Sequence, residues 1–210
     1  MRRSVLLMII AGIMLMSACS DPAADKTKAV TGEATKVASP AAATQGQKYL
    51  ITPQNSKIEF TASKVTGSHN GSFGDFSGQI DNLNTPEQGR VTITIKADSI
   101  TTDTPDLTKH LKTADFFDVA KFPEATFVST SIKAGGENGA SHTVTGNLTM
   151  HGVTKAVTFP ATISVTADVA SVDSTFTINR KDFGINYAGQ ADNLIRDNVV
   201  LKLTIRASKG

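Results

Sequence analysis

Four histidines are the residues of this chain best suited to chemistry: His69, His110, His142 and His151. Each stands alone, without the His-x-His or His-Glu-x-x-His spacing that brings two ligands to one metal ion. The single cysteine, Cys19, is far from all four along the chain. The sequence therefore predicts no metal site and no cofactor.

One histidine has carboxylates nearby. His110 follows Asp106 by four residues, a spacing that lets the two meet on a helix surface. Asp115 and Asp118 flank a pair of phenylalanines and could act with His110 as acid and base. We favour a surface or capping pair for the histidine, and turn or cap roles for the aspartates. Acid–base catalysis by these residues remains the alternative.

Other catalytic patterns are missing from the sequence. Gly71, Gly74 and Gly78 lack the spacing of a dinucleotide-binding loop and lie in a strand–turn–strand pattern. No serine sits in a Gly-x-Ser-x-Gly elbow. We therefore expect a protein that is not an enzyme.

Arg180 is the basic residue best placed to hold an anion. It opens a long connection, residues 180–196, between two strand-like segments. A bidentate contact from its guanidinium could hold the polar or phosphate head of a ligand. It could equally pair with Asp182 or Asp192 and brace the connection, and we favour bracing because a buried charge usually has a structural partner.

The N-terminus reads as a secretory signal over residues 1–18. A short basic start precedes Val5–Met16, an apolar run too short to span a bilayer. Cys19 then stands where bacterial lipoproteins carry their acylated cysteine, although Met16 occupies the position that is usually Leu. An ordinary cleaved signal peptide is the alternative. Acylation of Cys19 would anchor the protein to a membrane.

The mature chain is predicted to be electrically neutral. The full sequence has 21 basic and 19 acidic residues, and removing residues 1–18 takes away Arg2 and Arg3 and no acid, which leaves 19 of each. This balance gives no electrostatic argument for nucleic acid as a partner. Residues 19–47, rich in Ala, Thr, Lys and Pro, are predicted to form a flexible tether with a span of about 30 Å, and residues 48–210 to form the domain.

A helical insert interrupts an otherwise strand-like domain. Thr104 can cap a helix, Pro105 suits its first position, and Leu107 and Leu111 share one face. The aromatic pair Phe116–Phe117 follows. We expect this insert to close one end of a barrel.

Eight segments show strand-like alternation or composition. They are residues 57–62, 76–80, 91–97, 125–133, 144–150, 157–165, 176–178 and 199–205. Turn signals separate them, including one over residues 67–71, and Pro160 marks an edge or a bulge. The fold class predicted is all-β: an eight-stranded antiparallel barrel with the helical insert between strands 3 and 4.

The barrel interior could be filled or hollow, and periodicity cannot separate the two. A filled core would suit a structural or partner-binding lipoprotein. Small residues on inward faces favour a cavity for a long uncharged hydrocarbon chain. Those small residues are Ala62, Gly78, Ala97, Gly146 and Ala161.

Motifs spread over residues 48–210 resemble the YceI-like family. They are His110-Leu111, Asp115-Phe116-Phe117-Asp118, Phe122-Pro123, Thr126-Phe127, Gly67, Phe73, Phe76, Gly78, Val144, Gly146, Leu148-Thr149, Gly152-Val153-Thr154, Phe176, Ile178, Arg180, Asp182-Phe183-Gly184 and Val199–Ile205. Leu107-Thr108 departs from the Arg-Asp of many members, so any ion pair made by that motif is not expected here.

The resemblance implies a lipocalin-like barrel that binds polyisoprenoid lipids, in a periplasmic or secreted setting. We expect non-catalytic carriage or sequestration of a quinone or polyprenyl chain by a lipoprotein, with the outer membrane weakly favoured because Ser20 follows Cys19. A hydrolase acting on the lipid head group, or a filled structural barrel, is the alternative. The predicted ligand-binding residues are Ile58, Phe60, Phe76, Ile93, Ile95, Leu111, Phe116, Phe117, Phe127, Leu148, Phe159, Ile163, Phe176, Ile178, Arg180 and Leu203.

Overall fold

A computed structural model describes residues 21–36, 48–81 and 85–210. The predicted signal segment, Cys19 and residues 37–47 of the predicted tether lie outside the described residues. The strands are β1 (Val30–Glu33), β2 (Tyr49–Ile51), β3 (Lys57–Lys64), β4 (Gly67–Phe73), β5 (Phe76–Asp81), β6 (Arg90–Lys96), β7 (Ile100–Thr102), β8 (Glu124–Ala134), β9 (His142–Met150), β10 (Val153–Val165), β11 (Val169–Asn179), β12 (Gly189–Gln190), β13 (Asn193–Leu194) and β14 (Asn198–Lys209). One α-helix, α1, spans Pro105–Leu111.

Eight long antiparallel strands close into a barrel, as the alternation predicts. Three of them are bent and counted in two pieces, β2 with β3, β4 with β5, and β6 with β7. The others are β8, β9, β10, β11 and β14. The last strand, β14, closes the barrel by pairing with β3 and β2 along the first strand. The sequence prediction of the fold is confirmed, with α1 between the third and fourth long strands.

One turn prediction is wrong. Residues 67–71, which contain two glycines, form most of β4, and the chain reverses earlier, after Lys64. The reason is a close approach: a side chain at Gly71 would place its Cβ 2.3 Å from Cζ of Phe60. The glycine is there to admit the ring across the strand pair, rather than to form a turn.

The barrel wall has a seam between β10 and β11. The two strands pair only from Thr162↔Asp173 to Val165↔Ala170. Pro160, which has no N–H to donate, lies just beyond the last pair, so it marks an edge as predicted. From there the two strands separate.

Residues 21–36, which we call the N-terminal strap, fill this seam. The N–H of Ala29 donates to the carbonyl of Thr177 at 2.8 Å, and the N–H of Thr177 donates to the carbonyl of Thr27 at 2.8 Å. Strand β1 then pairs antiparallel with β10. These residues are therefore part of the barrel wall, and the prediction of a free tether is wrong for this part. This pairing depends on backbone hydrogen bonds, so the polar side chains of the strap gave no sequence signal for it.

Helix α1 and the long connection after β11 cover one end of the barrel, which we call the helical end. Pro105 begins the helix as predicted, but the side chain of Thr104 makes no cap hydrogen bond. Its hydroxyl donates instead to Oδ1 of Asp103 at 3.2 Å. Leu111 is buried and Leu107 packs against the same cluster, which confirms the predicted apolar face. In the described ranges no helix has the length and apolar content needed to cross a bilayer.

Candidate functional site

The barrel encloses a cavity of about 210 Å³. The surface exposed inside it is wholly apolar, because the side chains on the inward faces are aliphatic or aromatic. The cavity is lined by Ile51, Ile58, Phe60, Ala62, Phe73, Ile80, Val91, Ile93, Ile95, Leu111, Phe116, Phe117, Ala125, Phe127, Ile132, Val144, Leu148, Met150, Val157, Phe159, Ile163, Val172, Phe176, Ile178, Arg180, Ile185, Ile195, Val199, Leu201, Leu203 and Ile205. The interior is therefore not completely filled by side chains.

The structure brings all but one of the predicted ligand-binding residues to this cavity. The exception is Phe76, which is 3% exposed and packs in a cluster with Tyr49 and Ile51. Its ring is buried in this cluster without lining the cavity, which its neighbour Ile51 does line. Placement at the cavity is observed for the other residues, and ligand binding by them stays a prediction.

Sequence reasoning missed the lining residues of the long connection at the helical end. Ile185 is 4% exposed, and Ile195 lines the cavity just before β14. No strand or helix periodicity marks this segment. The only signal was the presence of isolated large apolar residues in a stretch otherwise typical of a loop.

Small inward residues do not explain the cavity, contrary to our sequence argument. Of the five, only Ala62 lines it. A Cβ at Gly146 would lie 2.3 Å from Cζ of Phe127, and one at Gly78 would lie 2.6 Å from the carbonyl oxygen of Thr92. These glycines admit neighbouring groups, so the space they leave is already occupied.

Aromatic rings occupy part of the interior in two groups. Phe159 and Phe176 stack with ring centroids 4.2 Å apart, and Phe127 lies 5.9 Å from Phe159. Nearer the helical end, Phe73 contacts both Phe60 and Phe117 at 5.9 Å. The cavity touches both groups, so a guest would lie against aromatic as well as aliphatic surface.

Arg180 braces the helical end. It is 5% exposed, and its guanidinium donates to the carbonyls of Arg196 (3.2 Å), Ile185 (2.8 Å) and Ile195 (3.4 Å). It also donates to Oδ1 of Asp197 at 3.3 Å. Burial lowers the pKa of Arg180, while the Asp197 carboxylate opposes the shift.

The bracing interpretation of Arg180 is supported, but the predicted partners are wrong. Asp197 takes the place expected of Asp182 or Asp192. Asp182 accepts a hydrogen bond from the Thr31 hydroxyl of the strap at 2.7 Å instead. The paired N–H groups of the Arg180 guanidinium donate to backbone carbonyls and to Asp197. Arg180 therefore lines the cavity without exposing a polar surface to it.

His110 does meet a carboxylate, but not the one four residues before it. Its Nε2 lies 2.8 Å from Oδ2 of Asp115, whereas Asp106 pairs with Lys109 at 3.5 Å. The His110 ring contacts Phe116 and Tyr187 at its edges. The side chains of both His110 and Asp115 are more than a third exposed, and neither residue lines the cavity.

Asp118 has the turn role we favoured. It adopts a positive φ of 46°, and its carbonyl accepts the N–H groups of Lys121 (2.9 Å) and Phe122 (2.8 Å). The three groups of the enzymatic alternative therefore do not converge on the apolar cavity.

The remaining histidines are paired separately. His69 contacts Asp103 at 2.9 Å, His142 contacts Glu87 at 3.4 Å, and Nδ1 of His151 lies 3.2 Å from the carbonyl oxygen of Phe183. Within residues 21–36, 48–81 and 85–210 no three His, Cys, Asp or Glu side chains are grouped to hold a metal ion.

Comparison with protein families gives a match over residues 49–207 to the YceI-like domain. A UPF0312 protein of Pseudomonas putida strain GB-1 is 42% identical over 126 residues, which cover 57% of this chain and 65% of that protein. The alignment therefore spans slightly less than two thirds of that relative's length.

Solved structures give the same fold. BcnA of Burkholderia cenocepacia has a TM-score of 0.63 at 25% identity, covering 75% of this chain and 99% of that one. A domain from Saccharophagus degradans, described as polyisoprenoid binding and implicated in plant cell wall breakdown, has a TM-score of 0.62 at 17% identity, covering 79% and 99%. At that identity the second likeness concerns the fold alone.

Proposed function

The chain belongs to the YceI-like domain family, and from this premise we propose that it is a non-catalytic binder of an isoprenoid-type lipid, anchored to a membrane through Cys19. The observation that carries the proposal is the closed barrel with a wholly apolar cavity of about 210 Å³. Small-molecule sites are concave and mainly apolar, and most add a few polar groups that fix the orientation of the ligand. Without such groups, the cavity is best matched by a hydrocarbon chain.

The size of the cavity limits what it holds in this conformation. An apolar cavity of about 150 Å³ holds one benzene molecule, with six carbon atoms. By the same ratio, 210 Å³ holds about eight carbon atoms, between one and two five-carbon isoprene units. A longer quinone or polyprenyl tail would push lining side chains apart or extend out of the barrel.

Anchoring is the second part of the proposal. The apolar run that ends in Ser17-Ala18-Cys19 supports cleavage before Cys19 and its acylation. More than one acyl chain is needed for a stable anchor. A periplasmic location follows from such processing, and Ser20 after the cysteine favours the outer membrane.

Extraction of the purified full-length protein tests the ligand. The protein is purified from its bacterial host with mild detergent and then extracted with organic solvent, and both phases are examined by mass spectrometry. We expect an isoprenoid chain in the organic phase. Displacement of a bound fluorescent fatty probe by farnesol, compared with a straight-chain alcohol of equal carbon number, then tests the preference for branched chains.

Two results would count against the proposal. Recovery of no apolar molecule, together with no displacement by either alcohol, removes the lipid-binding function. Recovery of straight acyl chains alone, with equal displacement by both alcohols, keeps an apolar binder and removes the isoprenoid class.

A further inference from the structure

The N-terminal strap begins at the helical end of the barrel. Oδ2 of Asp21 lies 3.3 Å from Nη1 of Arg196, and Oδ1 of Asp21 accepts the N–H of Ala23 at 3.0 Å. The N–H of Arg196 in turn donates to the carbonyl of Ser63 at 2.8 Å. Asp21 is therefore fixed beside the end of β3, and the strap continues from it into the wall.

Two large apolar side chains are exposed beside this point. Val65, at the turn between β3 and β4, is 47% exposed, and Leu194, in β13, is 48% exposed. They are neighbours, because the N–H of Val65 donates to the carbonyl of Leu194 at 3.1 Å. Ile195, the next residue, lines the cavity. The exposed pair therefore lies where the barrel interior meets the outside.

The distance from this pair to the proposed anchor is short. Leu194 and Arg196 are two residues apart, about 7 Å in an extended chain. Asp21 and Arg196 are joined through their side chains, which add their own length to this path. Cys19 precedes Asp21 by two residues, which span at most about 7 Å. A free tether of residues 19–47 would have allowed about 30 Å. Because the strap is part of the wall, an acylated Cys19 brings the bilayer surface next to Val65 and Leu194.

We propose that the helical end docks on the phospholipid bilayer that holds Cys19, with Val65 and Leu194 inserted at the boundary between head groups and acyl chains. The inference rests on the acylation in the proposed function and adds an orientation to it. A bilayer is favoured as the occupant because the short link leaves little room for another partner between this surface and the membrane. Asp21 and Arg196 neutralise each other beside the contact, and burial of Val65 and Leu194 drives the docking.

This orientation directs the helical end, with its lining residue Ile195, towards the membrane. If α1 or the long connection moves aside, a hydrocarbon guest that enters at this end leaves the bilayer without crossing an aqueous layer. The opposite end of the barrel, where β2 begins and β14 finishes, points away from the membrane. That end carries Leu50, which is 43% exposed and supplies a matched control for Leu194.

Depth-dependent quenching tests the orientation. Full-length protein carrying Leu194→Cys or Leu50→Cys is labelled with an environment-sensitive fluorophore and reconstituted in phosphatidylcholine vesicles with or without spin-labelled acyl chains. Acylation leaves the native Cys19 thiol unable to react with the fluorophore. We expect a blue shift and severalfold quenching at position 194, and neither at position 50.

Mass spectrometry of the N-terminal peptide and flotation of the vesicles separate the possible failures. An acylated protein that floats with vesicles but shows equal quenching at both positions overturns the orientation alone. Loss of flotation with an unmodified Cys19 overturns the anchor, and the orientation with it. Stronger quenching at position 50 than at 194 would reverse the proposed geometry.

Discussion

Filling the cavity with one added ring should weaken guest binding strongly, and Ala62 is the position for it. Ala62 is the one cavity-lining residue among the five small inward positions of the sequence argument, and it lies on β3 near Phe60 and Leu111. Ala62→Phe adds a phenyl ring. Since a benzene molecule needs about 150 Å³, the ring takes up roughly two thirds of the 210 Å³ cavity.

The expected loss of affinity follows from the carbon atoms displaced. About six carbon atoms of a guest lose their place, at about 0.8 kcal/mol each, which is about 5 kcal/mol. At 1.4 kcal/mol per tenfold, this corresponds to more than three orders of magnitude in Kd. Reorientation of the new ring returns part of the space, so we expect binding at least about 100-fold weaker in a probe-displacement titration.

A matched control carries the same ring on the outside. Thr175, on β11, is exposed and pairs with Lys202 of β14, so Thr175→Phe adds a phenyl group without entering the barrel. Binding should be unchanged in this variant. If Ala62→Phe unfolds at the same temperature as the parent protein and binds the probe equally well, the cavity is not the binding site.

Three further predictions concern the elements around the cavity. Arg180→Met removes the donor to three backbone carbonyls, while Asp197 keeps its contact with Lys181 at 3.0 Å. This variant should lower the free energy of unfolding by about 3 kcal/mol in urea titrations, and an unchanged urea midpoint would show that the brace is dispensable. A hydrogen bond from the backbone N–H of Asn70, and a weaker effect of His69, hold the pKa of Asp103 below its usual value. The carboxylate therefore stabilises the fold at pH values above its unfolded-state pKa. This contribution is lost as the pH falls through the lower folded-state pKa. Urea midpoints of Asp103→Asn should therefore fall less steeply below about pH 4 than those of the parent, and parallel curves would contradict the assignment. Deleting residues 21–36 removes at least four hydrogen bonds to the barrel. At about 1 kcal/mol each, this lowers the free energy of unfolding by about 4 kcal/mol. Hydrogen exchange should then show rapid exchange of the Thr177 amide, and continued protection would mean that β10 and β11 close the seam unaided.

Much of the barrel was predictable because its strands bury one face. Alternation along β6 and β14 places apolar residues inward at every second position, and this period indicates which side chains of these two strands face the interior. The helix was predictable from Pro105 and the spacing of Leu107 and Leu111. These signals are local, so one sequence contains them.

The features that the sequence did not predict depend on partners distant along the chain. The strap joins the wall through backbone groups, and its inward contribution is as small as Ala29. Its composition therefore resembles that of a disordered segment. The partner of Arg180 could not be chosen among three nearby aspartates, because only the fold shows that Asp197 returns beside it at the start of β14.

The wholly apolar lining has a consequence for selectivity. A cavity that offers its ligand neither a hydrogen-bond donor nor an acceptor cannot recognise a hydroxyl, a quinone ring or a phosphate inside it. The cavity therefore selects among ligands only by their width, branching and length. Two apolar chains of the same cross-section would bind with similar affinity, whatever polar groups they carry outside the cavity.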